Sequence, residues 1–207
     1  MGRERGFTLI ELILVVVVVA ILAAILVPTV LSILDDSAVT KGKADAKAIA
    51  GAVVAFRKDV GEFPTRDASG AAGDEVNLLY SGTTAPLVTT FGGASPATEM
   101  VSFDCTTAAN CESFEFPFFT NVSTSNAYDT PTDPDDPTDK GWKGPYISEN
   151  AIDEFGSPYI IYVSRLRRAD KVTSERSFVV FAGPDKIYDT TPSATTTQDD
   201  DFAFLIK

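Results

Sequence analysis

Three groups of residues in this 207-residue chain have types and spacings that invite chemistry. The first is Glu11. It is the one charge in an apolar run, FTLIELILVVVVVAILAAILVPTVLSIL, that extends from Phe7 to Leu34. A carboxylate in such surroundings costs roughly 2.5–3.5 kcal/mol on membrane-insertion scales. An opposite charge offsets much of that cost, so Glu11 calls for a cation. The second group is Cys105 and Cys111 in CTTAANC. Two thiols this close can form a small disulfide loop or stay free, and a metal site would need further soft ligands or histidines. The third group is acidic. Asp133, Asp135, Asp136 and Asp139 crowd into TPTDPDDPTDK, and hard oxygen ligands are what calcium takes. An EF-hand loop needs Gly at its sixth position and Glu at its twelfth, and neither is present, so a solvated, proline-stiffened loop is the better reading. The chain has no histidine, which removes the commonest general base and the commonest zinc ligand.

The elements that position these groups follow from the apolar pattern. From residue 12 to residue 34 nothing is ionisable, and about 20 apolar residues suffice for a helix to cross a bilayer core. The leader MGRERG carries Arg3 and Arg5, which hold the N-terminus in the cytoplasm and send the rest across. A secretory signal peptide has an apolar region of 7–15 residues and a small-residue cleavage site. This run is longer, and Glu11 would fall inside that region. A plain single-pass anchor explains the length but not the order Gly-Phe-Thr-Leu-Ile-Glu.

Pro28 lies within the run and removes a backbone hydrogen bond, which predicts a kink or local melting. Beyond it, Ile49, Val53, Phe56 and Val60 recur at helical spacing, and Ala46, Ala50 and Ala52 broaden the stripe. Lys41, Lys43, Lys47, Arg57 and Lys58 lie largely on the other side. Gly42 and Gly51 each weaken the helix by about 1 kcal/mol relative to alanine. Gly61 and Pro64 end it. The pattern therefore predicts one helix from residue 7 to about residue 60.

About 170 residues follow the anchor, enough for one modest domain with its own core. The formal charge is -12; without the leader it is -13, from 15 basic and 28 acidic side chains. An acidic exported domain does not bind nucleic acid backbones, but it suits divalent cations. Residues 67–102 read as an irregular connection with a short helix near residues 77–80. Phe114, Phe116, Phe118 and Phe119 read as core packing or a subunit contact. Strands are expected at residues 159–163, 177–181 and 202–206, the first two joined by a long hairpin connection at 165–176.

The run Gly6-Phe7-Thr8-Leu9-Ile10-Glu11 resembles the class III signal of prepilins, the precursors of the type IV pilin superfamily. The resemblance implies that a prepilin peptidase cuts between Gly6 and Phe7 and methylates the new amine of Phe7. It implies that Glu11 meets that amine, on a neighbouring subunit, as subunits stack into a filament. On the oxidising exported side, Cys105 and Cys111 are expected to pair. So short a loop places the bridge at the low end of the roughly 2–4 kcal/mol that disulfides contribute.

A second resemblance lies in the C-terminal half. Gly141-Trp142-Lys143-Gly144-Pro145-Tyr146-Ile147 and Asp153-Glu154-Phe155-Gly156-Ser157-Pro158-Tyr159 are similar to elements of the major pseudopilin of type II secretion systems. Glu154, Phe155 and Ser157 depart from that family's pattern. Phe181-Ala182-Gly183-Pro184-Asp185 and Asp199-Asp200-Asp201-Phe202 resemble the elements that form its calcium loop. The resemblance implies calcium, held by the carboxylates of Asp185, Asp200 and Asp201 and the backbone carbonyls of Val180 and Phe202. Phe181 stands where the family has a liganding serine, and the span from Asp185 to Asp200 is longer and carries Asp189.

The resulting expectation is an α+β, pilin-like fold. Residues 1–6 are a leader, 7–34 a transmembrane and filament-core helix, and 35–61 its amphipathic continuation. Residues 62–207 form an exported domain with a small antiparallel sheet. The resemblance implies a non-enzymatic filament subunit that helps move folded proteins across the outer membrane by type II secretion. The implied partners are further copies of the chain, the prepilin peptidase, an inner-membrane assembly platform with its ATPase, and minor pseudopilins. The chain would sit in the inner membrane before assembly and in a periplasmic or cell-surface filament afterwards. The alternative is a type IV pilin, major or minor, for adhesion, motility or DNA uptake. A membrane-anchored enzyme finds no nucleophile-elbow, zinc or paired-carboxylate signature. Mass spectrometry of the native protein should find a chain that starts at methylated Phe7. A mature chain starting beyond Ala24 would instead mark a secretory signal.

Overall fold

A computed structural model describes residues 6–68, 76–86, 105, 111–123, 126–133, 135–136, 138–150, 152–163, 166, 177–190 and 201–206. The chain divides into two units, Met1–Ala38 and Val39–Lys207. Helix α1 runs from Leu9 to Val60, 52 residues. Its assignment is unbroken at Pro28, so the local melting expected there is not seen. Gly61 closes the helix as expected. It adopts φ +93° and donates its N–H to the Arg57 carbonyl at 2.9 Å. A left-handed residue at this point is what a glycine supplies cheaply.

In the first unit the apolar side chains are exposed along the whole run, from Phe7 at 85% to Leu34 at 58%. A helix that is apolar all round is stable where its surroundings are also apolar, in lipid or against other helices. Among the described residues this is the one helix long and apolar enough to cross a membrane.

In the second unit the helix turns amphipathic. Gly42, Ala46, Ile49, Ala50, Ala52, Val53 and Phe56 are buried. They meet one face of a sheet with strand order β2-β1-β3-β4-β5. The strands are β1 Leu78–Tyr80, β2 Cys111–Ser113, β3 Ile160–Tyr162, β4 Ser177–Phe181 and β5 Phe202–Ile206. Side chains alternate between faces, as a strand's period of two requires. Leu79, Ile161, Val179 and Phe181 join the helix in one core. Leu78, Ile160, Phe178 and Val180 join Tyr188 and Cys111 in a second core on the other face. Burial on both faces explains why β4, SFVVF, is apolar at every position after Ser177.

The sheet is mixed. Pairs β1–β3, β3–β4 and β4–β5 are antiparallel, but β1 and β2 run parallel with Leu78 opposite Cys111. The antiparallel expectation holds for four strands and misses the edge. The short helix expected near residues 77–80 is also corrected, because Leu78–Tyr80 is strand β1. Leu78 and Leu79 bury on opposite faces, and pairing on both sides overrides any local preference. Most of the 165–176 connection lies outside the described residues.

The phenylalanine cluster is core. A π-helical turn spans Glu115–Thr120 and buries Phe116 and Phe118; Phe114, just before it, is buried too. Phe56 is the wedge that α1 drives into this cluster. It is fully buried and meets Phe118, Tyr128 and Tyr146 edge-on, with ring centroids 5.9, 4.8 and 5.4 Å away. Edge-to-face pairs add to the burial energy. Gly42 makes a different contact. A Cβ there would lie 2.7 Å from Cε2 and Cζ of Phe181, so the glycine lets β4 approach the helix closely. Phe56→Ala should destabilise the domain by about 3–5 kcal/mol. A loss under about 1 kcal/mol in thermal or urea unfolding would show that the cluster holds without its wedge.

Candidate functional site

Residues 6–8 precede α1 without regular structure, and Gly6 and Phe7 are exposed. A Cβ at Gly6 would meet nothing within 4 Å. Among the described residues nothing demands a glycine there. Thr8 and Glu11 form a reciprocal cap. Glu11 Oε2 accepts the Thr8 backbone N–H at 2.8 Å and the Thr8 hydroxyl at 2.7 Å. The Glu11 N–H points back to Thr8 Oγ1 at 3.4 Å. This is a capping box, which satisfies helix donors that otherwise lack partners. The sequence reading missed it, although Thr-x-x-Glu before an apolar run is its signature. Both bonds from Thr8 fall on one carboxylate oxygen, so the cap fixes the direction in which Glu11 projects.

The C-terminal acidic residues are placed unequally. Asp201 is 3% exposed. Its Oδ2 accepts the Thr190 N–H, whereas its Oδ1 is buried with no hydrogen-bond partner among the described residues. Burial pushes its carboxyl up to about 7, against the pull of the Thr190 and Asp189 hydrogen bonds, and the Asp189 charge pushes it the same way as burial. Asp185 is exposed on the Gly183-Pro184 turn and takes the Ile187 N–H at 2.8 Å. Val180 sits within β4, paired with Ile160 on one side and Ala203 on the other; Phe202 opens β5 opposite Phe181. Asp200 lies outside the described residues. Among the described residues no three His, Cys, Asp or Glu side chains gather as a ligand set. The orphaned Asp201 oxygen beside Asp189 is nevertheless the kind of donor a hard cation satisfies.

The other acidic loop uses its carboxylates on its own backbone. Asp139 Oδ2 accepts the N–H groups of Thr132 and Asp133 at 2.8 and 2.9 Å. Asp133 Oδ1 accepts that of Asp135, and Asp136 Oδ1 that of Thr138. Such turns keep a loop ordered in water.

Cys105 and Cys111 are disulfide-bonded, with their Cα atoms 5.2 Å apart. The bridge fastens the first residue of β2. The Gly141–Ile147 element stitches onto the phenylalanine cluster, with Trp142 Nε1 donating to the Pro117 carbonyl at 2.7 Å and the Tyr146 N–H to that of Phe118 at 2.8 Å. The 153–157 turn is organised by Asp153. Its Oδ1 accepts the N–H groups of Phe155 and Ser157 at 3.0 and 2.7 Å, and its Oδ2 is buried without a partner. Burial raises the Asp153 carboxyl above its ordinary range; the three turn N–H groups and Lys186 oppose that. Sequence alone gave no sign of this role.

A long N-terminal apolar helix followed by a five-stranded mixed sheet is a pilin-like arrangement. Residues 1–27 match the prokaryotic N-terminal methylation motif. The chain is 46% identical over 63 residues to the type II secretion system core protein G of Pseudomonas aeruginosa, a match covering 30% of this chain and 44% of the relative. It is 33% identical over 67 residues to the core protein G of Klebsiella pneumoniae, covering 32% of this chain and 48% of the relative. The chain thus spans about half the length of the curated relatives it matches. No solved structure matches it. These findings bear out the resemblance to the type IV pilin superfamily and to its major-pseudopilin branch. The motif and the apolar helix fit a membrane-anchored precursor.

Because the folded chain holds the Asp153 proton more tightly than the unfolded chain, ionisation of Asp153 favours unfolding. Its contribution to stability is full below the unfolded value near 3.8 and is lost as pH rises through the folded value. Asp153→Asn keeps the Oδ1 acceptor and cannot ionise. The melting temperature of the variant relative to wild type should therefore rise between pH 4 and pH 7. A constant difference across that range would show that Asp153 titrates as it does in water.

Proposed function

We propose that the chain is a structural subunit of a pseudopilus, the filament of a type II secretion machine that helps move folded proteins across the outer membrane. The observation that carries this reading is the N-terminal constellation: an accessible Gly6–Phe7 bond, a capped Glu11 at the start of the apolar helix, and the match of residues 1–27 to the methylation motif. The similarity to core protein G in two organisms directs the reading to secretion. In this reading the chain is a substrate of the prepilin peptidase and catalyses nothing itself. It starts as a single-pass inner-membrane protein. The assembly platform and its ATPase then add it to a filament of identical copies, with minor pseudopilins beside it. Glu11 meets the methylated amine of Phe7 on a neighbouring copy, which removes an isolated charge from an apolar core.

The disulfide and the long segment between residues 67 and 140 favour a second reading, a type IV pilin for adhesion, motility or DNA uptake. Both readings share the N-terminus. Co-purification of the chain with secretion-machine or with pilus proteins separates them.

Glu11→Ala should insert into the membrane normally and assemble poorly, because the amine of Phe7 then lacks its partner. Sheared-filament yield is the measurement, and wild-type yield from the variant would remove the proposed pairing.

We further propose that the C-terminal acidic turn takes calcium through the carboxylates of Asp185, Asp200 and Asp201 and the backbone carbonyls of Val180 and Phe202. Calcium would supply positive charge to the buried Asp201 oxygen that has no partner. Binding at 100 times Kd adds about 2.7 kcal/mol to stability. For a domain of this size, that raises Tm by several degrees, at roughly 2–4 °C per kcal/mol. The detergent-solubilised full chain should show this shift in calcium and lose it in chelator. Asp200→Ala or Asp201→Ala should abolish the shift, and Asp135→Ala in the other acidic loop should leave it. Equal melting of wild type in calcium and chelator would overturn the site.

A further inference from the structure

Beside the second half of α1, a half-open cavity of about 350 Å³ has no role in the processing site or the acidic turn. Ile49, Phe114, Tyr146 and Tyr159 supply an apolar, largely aromatic lining, and Asp45 and Glu149 add two carboxylates. Asp45 accepts the Tyr159 hydroxyl at 3.3 Å, which anchors it to the lining. Lys41 stands nearby, but its ammonium is taken by Glu154. That hydrogen bond holds Lys41 above the usual lysine range, and the charges of Asp45 and Glu149 add to the effect. Among the described residues neither Asp45 nor Glu149 has an ion pair of its own. Three carboxylates and one ammonium leave the region negative, and low-dielectric walls focus that field. Aromatic walls with carboxylates beside them suit a cation carried on an apolar stem.

The chain carries such a group on its own surface. Lys47 is exposed, and no ion pair holds it among the described residues. Ala44 and Gly51, also exposed, flank it with low relief, on the side of the helix away from Asp45 and Ile49. Nothing lies within 4 Å of where a Gly51 Cβ would stand, so another molecule can come close. Lys47 therefore protrudes from a face that offers a neighbour little obstruction. A protruding group on one surface and its complement on another define a heterologous contact, the kind that propagates into a filament.

We infer that the cavity lined by Asp45 and Glu149 receives the Lys47 side chain of a second copy of this chain. The inference rests on the filament reading and specifies one of its contacts. Tyr159 and Tyr146 flank the incoming stem, and the ammonium meets the two carboxylates. Each copy gives one lysine and accepts one, so the contact repeats along the assembly.

The test uses the full-length chain in its own membrane. A variant with Ala44→Cys beside Lys47 and Ser148→Cys beside Glu149 keeps both charges and, treated with a short bis-maleimide reagent, should give a ladder of cross-linked copies. Each single variant should give no ladder, because the two native cysteines are bonded to each other. Glu149→Lys should lower sheared-filament yield roughly tenfold or more by placing like charges together, and adding Lys47→Glu should restore it. A ladder without filaments by electron microscopy would support the contact and overturn the filament reading. Filaments without a ladder, or a double charge reversal no better than Glu149→Lys alone, would overturn the contact. Tm of each variant, equal to wild type, shows that the domain itself is unchanged.

Discussion

The structure depends on one helix satisfying two kinds of surroundings. Along its first half α1 has no polar face at all, and along its second half it has one apolar stripe. The change in pattern needs no break in the backbone. Large apolar residues retreat mainly to positions 49, 53 and 56, and the exposed side carries Lys41, Lys43, Lys47, Arg57 and Lys58 among small residues. The globular domain exists because that stripe must be covered. Its sheet presents Leu79, Ile161, Val179 and Phe181 to it, and the aromatic cluster closes around Phe56.

Close packing against a helix fixes more than energy. At Gly42 the Phe181 ring occupies space that any side chain would need, so the helix cannot slide along β4 without a clash. Lys41 and Lys43 add contacts on the same side, one to Glu154 and one over the ring of Phe202 at 4.3 Å. Backbone bonds hold the far end, where the Gly141 N–H reaches the Asp59 carbonyl at 2.9 Å and Lys140 Nζ that of Lys58 at 2.8 Å. These surface lysines do more than keep the helix soluble. Exposed pairs contribute little individually, but here they fix register.

Much of this was legible in the sequence, for physical reasons. The helix limits followed from periodicity and from Gly61. Strands β3, β4 and β5 announced themselves as β-branched and aromatic runs of about five residues. The processing motif needed no structure at all. What stayed hidden depends on distant partners. Strands β1 and β2 are three residues each, too short to display a period, and they are held by pairing with each other and, for β1, with β3. Gly42 read as a weak point in a helix, because its use lies 139 residues away at Phe181. The turn built by Asp153 looked like one more acidic position. Of the acidic C-terminal residues, the sequence could not tell that Asp201 is buried and Asp185 exposed. The cap between Thr8 and Glu11 is legible in the Thr-x-x-Glu spacing, which the isolated charge in an apolar run overshadows.

The disulfide has a consequence beyond the few residues it spans. Cys111 begins β2, and β2 is the outermost strand on that side of the sheet. An outer strand carries unpaired backbone donors and acceptors, and any extended segment nearby can add to it. Subunits concentrated side by side are more exposed to such mispairing than dilute monomers. The bridge ties Cys105 to the first residue of that strand, so a covalent partner stands at the end where an added strand would begin. Under the proposed filament reading, such a bridge disfavours the merging of sheets between neighbouring copies.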